Sequence, residues 1–222
     1  MPSPMRKQRP RGSITREAVV NAALSVTDSA GVKRLTIRAV ADLLRAPPMS
    51  LYSHFANKNQ LLDLMYAEIA RRVYLYEAHP SWQDELLALA RRIRGLLSAH
   101  PNWTTLLSRP VPPLEVTLRE QVLRLMVADG LTPTDALMGL SGVALTSIGL
   151  MLIESTMNGP AKQSALVTRF ARLKEWVETA AADEHRETRA ALATVARFDF
   201  DYLFQFAIQS LITGLEAKRS QA

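Results

Sequence analysis

Pro47 and Pro48 stand back to back between two short stretches of helical periodicity. A helix interior tolerates neither, so the chain must turn there. Upstream, Thr36 is placed to cap a helix over Ile37–Leu44, with Ile37, Val40 and Leu44 facing inward. Downstream, Pro48 suits the first position of a third helix, expected to run to about Phe55. A first helix begins at Thr15, presents Val19, Ala22, Ala23, Val26 and Ala30 on one face, and stops at Gly31. Three short helices with a tight turn between the second and third describe a helix-turn-helix unit.

Charge separates this head from the rest. The formal net charge is +6 over 222 residues. The first 60 residues hold ten Lys/Arg and three acids, a balance of +7, and the remaining 162 carry −1. A basic head on a neutral body points to a polyanionic partner. Double-stranded DNA, RNA and an anionic membrane surface all meet that description. Residues 1–13 are basic and Pro-rich and read as a flexible arm.

The rest of the chain is punctuated into further helices. Asn57 and Gln60 have capping-box spacing and open a connecting helix, residues 58–76, with Leu61, Leu64, Met65, Ile69 and Val73 inward. His79-Pro80 breaks it, and Ser81 with Asp84 repeats the capping signal before a helix over 82–98 that presents Leu86, Leu89, Ala90, Ile93 and Leu97. A short segment from Pro101 to Pro110 follows. Pro112-Pro113 opens a helix to about Ala128, and Gly130 ends it. Thr132-Pro133 starts a long apolar helix to Asn158. A helix over 162–182 carries Leu166, Phe170, Leu173 and Val177 on one face. The last helix, Phe198–Lys218, has Tyr202, Phe206, Leu211, Ile212 and Leu215 as packing residues. No segment alternates like a strand, so the fold class is all-α, with nine or ten helices: a three-helix head and a larger C-terminal helical bundle.

Several chemistries are absent from this sequence. There is no cysteine, hence no disulfide framework and no thiolate metal site. His54, His79, His100 and His185 show no paired metal-ligand spacing, and no nucleophile elbow, phosphate loop or dinucleotide fingerprint occurs. The expectation is a non-enzyme without cofactor or metal. The 18-residue uncharged run Ala136–Ile153 reaches the lower limit for a membrane span. Its Ser141, Thr146, Ser147 and three glycines read as a buried bundle helix instead, and no apolar stretch follows the basic start. A soluble cytoplasmic protein is expected, with no membrane partner.

On the head, the outward candidates for DNA contact are Pro48, Met49, Ser50, Tyr52, Ser53 and His54. Ser hydroxyls bond base edges, and Met49 and the Pro48 ring suit a thymine methyl. Lys58, in the first turn of the connecting helix, and Thr36 and Arg38, at the start of the second, are phosphate candidates. In the body, a small-molecule site would lie between residues 80 and 180. Its candidates are Trp82, His100, Trp103, Met126, Met138, Met151, Glu154 and Trp176.

Ile14–Leu62 resembles the N-terminal domain of the TetR family of bacterial transcriptional regulators. The resemblance rests on Ala22-Ala23-Leu24, Gly31, Leu35-Thr36-Ile37-Arg38 with Ala41, and Met49-Ser50-Leu51-Tyr52-Ser53-His54-Phe55 followed by Asn57-Lys58 and Leu61-Leu62. Two positions depart from the family pattern: Arg45 stands where a turn glycine is usual, and Pro47 where a Ser or Thr cap is usual. The segment Phe198-Asp199-Phe200 and the later Leu211–Glu216 are similar to the ending of the tetracycline-type repressors. The resemblance implies a homodimer that binds a palindromic operator and represses, released by a small molecule in the C-terminal domain. It implies a four-helix dimer interface built from helices near 134–158 and 198–215, where Gly142, Gly149 and Ala144 would permit close approach. The alternative is a non-enzymatic helical protein with a basic arm that binds an anionic membrane surface, or one that acts as a scaffold.

Overall fold

The computed structural model describes residues 14–74, 79–107, 114–157, 171–179, 185–194 and 199–219. Among these residues the chain is all helical. In order run α1 (Arg16–Ala30), a 3-10 turn (Val32–Arg34), α2 (Ile37–Leu44), α3 (Pro48–Leu51), α4 (Lys58–Val73), α5 (Trp82–Ala99), a 3-10 segment (Pro101–Leu106), α6 (Leu114–Ala128), α7 (Pro133–Met157), α8 (171–179), α9 (Arg186–Thr194) and α10 (Phe200–Arg219). The expected arm 1–13, the Pro110–Pro113 stretch, Leu166, Phe170 and Phe198 lie outside the described residues.

The helix starts follow the capping chemistry in the sequence. Thr15, Thr36, Asn57, Ser81 and Thr132 each accept a backbone N–H three residues on, at 3.0–3.1 Å. At α4 the box is offset: Gln60 accepts from the N–H of Ala56, one residue ahead of the cap. Gly31 (φ 77°) and Gly130 (φ 99°) end α1 and α6 in a region that favours glycine.

One apolar core runs from α1 through α10. α7 is its axis, packed by α5, α6 and α10. Its stretch Pro133–Ser155 is long and apolar enough to cross a membrane by length and composition, but here it is a central bundle helix. It meets α10 closely: a Cβ on Gly139 would lie 2.6 Å from both methyl carbons of Leu215, and one on Gly142 would lie 3.9 Å from Leu211. Gly149 has open space instead, so it is not a contact within the subunit.

The head docks on the body through the corner after α5. The Trp103 indole, buried, donates to the Leu24 carbonyl of α1 at 3.3 Å and stacks on His100 with ring centroids 3.8 Å apart. His100 Nδ1 lies 2.5 Å from the Asp28 carboxylate, and Asn102 donates to the Asp28 carbonyl at 2.7 Å. Arg72 of α4 donates to Asn21 and lies over the Trp103 ring. At the other end of α5, Glu85 is buried and bound by His79 at 2.6 Å and Arg92 at 2.7 Å.

Several sequence expectations change. α3 holds four residues, and Tyr52–His54 form a turn rather than more helix. α4 ends at Val73 instead of about Tyr76, with Tyr74 as its C-cap. Tyr202 and Phe206, expected to pack, are 69% and 60% exposed, because Phe204, Ile208, Ile212 and Leu215 take the core side of α10. Ala30 and Leu173 are exposed, and Ile37, Leu44 and Leu64 are only half-buried.

Candidate nucleic-acid interface and ligand cavity

The turn keeps the geometry a glycine would give. Arg45 adopts φ 54°, ψ 43°, and its N–H caps α2 by bonding the Ala41 and Asp42 carbonyls. It is the one non-glycine with positive φ among the described residues. Pro47 supplies no side-chain cap. Its carbonyl compensates, accepting the Ser50 N–H at 3.0 Å and the Ser50 hydroxyl at 2.6 Å. Leu51 and Phe55, both buried, pin this short helix to the head core.

That anchoring leaves one side of α3 in solvent. Pro48, Met49, Ser50 and Ser53 are exposed, Met49 at 76%. Ser53 donates its hydroxyl to the Ser50 carbonyl at 2.7 Å, so both serine oxygens keep lone pairs outward. Tyr52 is exposed and leans on Phe55 with ring centroids 5.6 Å apart, while His54 is half-buried. Thr36 is exposed, but its Oγ1 already caps α2. Lys33, Arg34, Arg38, Arg45 and Lys58 are all exposed, and among the described residues none has an ion-pair partner. Arg38 and Lys58 stand in the first turns of α2 and α4, where unpaired backbone N–H groups already favour an anion. The structure therefore offers a small apolar and hydroxyl reading surface flanked by unpaired cations. Lys33, Arg34 and Arg45 were not among the sequence candidates, although the charge count includes them.

The eight body candidates are not brought together. Trp82 is buried and donates to Asp129 at 2.7 Å. His100 and Trp103 form the head–body corner. Met126 and Met151 are core. Met138 is exposed on α7. Glu154 is half-buried, 3.7 Å from Arg94. Trp176 is exposed on α8 and tilted against His185. Asp129 also accepts from Arg219. The Trp82 hydrogen bond, then that of Arg219, holds its carboxyl below the ordinary range.

A cavity of about 870 Å³ lies elsewhere, between α5 and α10. Ala90, Phe204 and Ile208 form an apolar floor, and Arg91, Arg94, Tyr202 and Phe206 stand around it. None of the eight candidates lines it. The sequence periodicity assigns Leu86, Leu89, Ala90, Ile93 and Leu97 to the packed face of α5 and does not single out Leu87, Arg91 or Arg94. It did not show that α10 would face it across a gap.

Known proteins resemble the whole chain. Residues 19–65 match the family described as bacterial regulatory proteins, tetR family, and residues 77–219 match the tetracyclin repressor-like C-terminal domain. The chain is 30% identical over 212 residues to the tetracycline repressor protein class D of Escherichia coli, covering 92% of this chain and 90% of that one. It is 32% identical over 156 residues to an HTH-type transcriptional regulator of Saccharopolyspora erythraea, covering 68% of this chain and 66% of that one. Apo ActR from Streptomyces coelicolor shares the fold with a TM-score of 0.78 at 22% identity, over 96% of this chain and 99% of ActR. ActR in complex with actinorhodin gives 0.76 at 23% identity, over 94% and 99%.

Proposed function

The chain belongs to the tetR family of bacterial regulatory proteins, and on that premise we propose how its parts divide the work of a ligand-responsive transcriptional regulator. Residues 14–60 are the DNA-binding head, the 58–76 stretch connects it, and residues 77–222 dimerise and sense. The basic 1–13 segment adds charge against the DNA backbone. α3 enters the major groove, with Pro48, Met49, Ser50, Tyr52, Ser53 and His54 against base edges. Thr36, Arg38 and Lys58 meet phosphates. The observation that carries this reading is the exposed α3 surface, held from behind by Leu51 and Phe55 and flanked by unpaired cations.

A second copy would cover the apolar stripe on α7. Met138, Leu145 and Leu152 recur every seven residues and are exposed, Leu145 at 69%. On α10, Leu203, Ala207, Ser210 and Gly214 share one edge. Two such pairs make an isologous four-helix contact. The two heads would then read the halves of a palindromic operator. One relative is named a tetracycline repressor protein, and ActR is seen in complex with actinorhodin. By that likeness this protein is a repressor, and a small molecule in the C-terminal domain releases it from DNA. Its place of work is the cytoplasm, where the operator is.

Selection from a random duplex library, followed by salt titration, tests the reading. The selected palindrome should bind well above random duplex, with affinity falling steeply with salt. Lys58→Ala should weaken all duplexes alike and flatten the salt slope by about one unit, whereas Ser50→Ala should weaken the selected one alone. Binding to anionic vesicles and to no duplex would overturn it, and a monomeric mass in solution would remove the four-helix interface.

A further inference from the structure

We propose that Arg45 is a DNA-backbone contact, one per head, which holds a phosphate at the groove edge opposite Arg38 and supplies the donor that two prolines remove from the turn. The inference rests on the helix-turn-helix reading of residues 14–60 and adds a residue to it.

The turn is poor in donors. Its own backbone N–H groups close α2: that of Arg45 bonds the Ala41 and Asp42 carbonyls, and that of Ala46 bonds Ala41 at 3.0 Å. Pro47 and Pro48 have no N–H and no side-chain donor. Ser50 turns both its N–H and its hydroxyl hydrogen back to the Pro47 carbonyl. By contrast, α2 and α4 open on Thr36 and Asn57 with first-turn N–H groups left over, and Arg38 and Lys58 stand beside them. Along residues 45–48 the Arg45 guanidinium is the one donor left for a phosphate. It brings a fork of N–H groups and a full charge. Arg45 in place of a turn glycine and Pro47 in place of a hydroxyl cap are then one adaptation, in which the first offsets the second.

The dimensions agree. Eight residues at about 1.5 Å each make α2 about 12 Å long. A B-DNA major groove is about as wide. With α3 in the groove and α2 lying across it, the two ends of α2 stand over the two flanking strands. Arg38 is in the first turn of α2 and Arg45 caps the last, so the pair straddles the groove.

The side chain is available. Arg45 is exposed, and among the described residues its guanidinium has no hydrogen-bond or ion-pair partner. Asp42, one turn back on α2, does not pair with it. The backbone is a second sign. At φ 54° an L-residue is strained where glycine is not, and no side-chain bond within the chain offsets that strain. Attraction to the carbonyl end of α2 would also favour a cation there, without DNA. Salt dependence of DNA binding separates the two roles.

Arg45→Asn, Arg45→Gly and Arg45→Lys test the contact on the palindrome selected from the duplex library. Asn and Gly both accept the left-handed region, so the turn survives while the charge goes, which circular dichroism melts verify. Two heads bind one palindrome, and each lost phosphate contact flattens the slope of log affinity against log salt by about 0.9. Between about 50 and 200 mM salt the parent should therefore lose about twelvefold more affinity than Arg45→Asn or Arg45→Gly. Arg45→Lys should keep the parent's slope. Neutralising phosphates singly as methylphosphonates should find one in each half-site that weakens the parent and leaves Arg45→Asn unaffected. Lys58→Ala, measured alongside, keeps the two readings apart. If Lys58→Ala flattens the slope and the Arg45 variants do not, Arg45 only caps α2, and the proposal fails while the reading of the head stands. A loss confined to one base pair, or one that no single phosphate accounts for, overturns it as well. Binding to no duplex overturns both.

Discussion

Leu51 is the perturbation that separates the fold of the head from its use. α3 has four residues, no side-chain cap, and closes by short i→i−3 bonds: Ser50 N–H to Pro47 at 3.0 Å and His54 N–H to Leu51 at 2.9 Å. A single turn is not stable by itself, because nucleation costs more than one hydrogen bond returns. Its place depends on Leu51, fully buried, and Phe55, 3% exposed. Leu51→Ala removes buried methyl groups and leaves a cavity, which costs about 3 kcal/mol in a well-packed core. For a chain of this length that lowers the melting temperature by about 6–12 °C. The chain should still fold at 25 °C, since native margins are about 5–15 kcal/mol. Yet about 3 kcal/mol changes the docking equilibrium of α3 by about 150-fold. Operator affinity should therefore fall at least about tenfold, since only the docked fraction binds. Leu51→Met, which conserves volume, should cost less than about 1.5 kcal/mol and keep most binding. Urea unfolding gives the first quantity, and fluorescence-anisotropy titration with a labelled operator gives the second. A loss below 1 kcal/mol would refute the burial argument. Unchanged operator affinity in the folded Leu51→Ala protein would refute the claim that docked α3 is the reading element.

Two further outcomes follow from named contacts. Arg45→Gly relieves a left-handed conformation worth about 1 kcal/mol for an L-residue, but it frees the unfolded chain by about 0.4–1 kcal/mol. The urea midpoint should therefore barely move, whereas Arg45→Val should destabilise by about 1–2 kcal/mol, and a Val variant as stable as the parent would contradict the φ of 54°. Asp129, held down first by the Trp82 hydrogen bond and then by Arg219, and Asp135, held down first by Lys218 and then by Thr132, have lowered folded pKa values. Their stabilisation is complete above the ordinary carboxylate value of 3.8 and is lost as pH falls through the lower folded values. Asp129→Asn should flatten the acid limb of a plot of urea midpoint against pH, and an identical limb would show that this corner does not stabilise the fold.

Legibility followed the range of the interaction. The caps at Thr15, Thr36, Asn57, Ser81 and Thr132 act over three residues, so side-chain chemistry and spacing reveal them. Leu51 and Phe55 could be assigned to the core, and Met49 and Ser50 to the surface, because a short amphipathic turn has only one way to face. The tryptophans and methionines of the body were not legible in the same way. Trp82 and Trp103 found hydrogen-bond acceptors at Asp129 and Leu24, 47 and 79 residues away in the chain. Nothing near them in sequence announces those partners. The length of α3 was overestimated because nothing after Leu51 breaks a helix by propensity. The chain leaves the helix there to bury Phe55 and present Asn57 as the next cap.

The sequence by itself determined an all-helical chain, the breaks between helices, and a head of +7 on a body of −1. These depend on dihedral preferences, short-range caps and a count of charges, which no partner element alters. Only the tertiary structure decided which side of α10 meets the core. Periodicity placed Tyr202 and Phe206 one turn apart. The approach of α10 to α7, through Gly139 and Leu215, turned Phe204, Ile208 and Ile212 inward and left those two rings beside Arg91 at an open cleft. A helix carries its own faces in sequence, but what each face meets is set by the packing of the others.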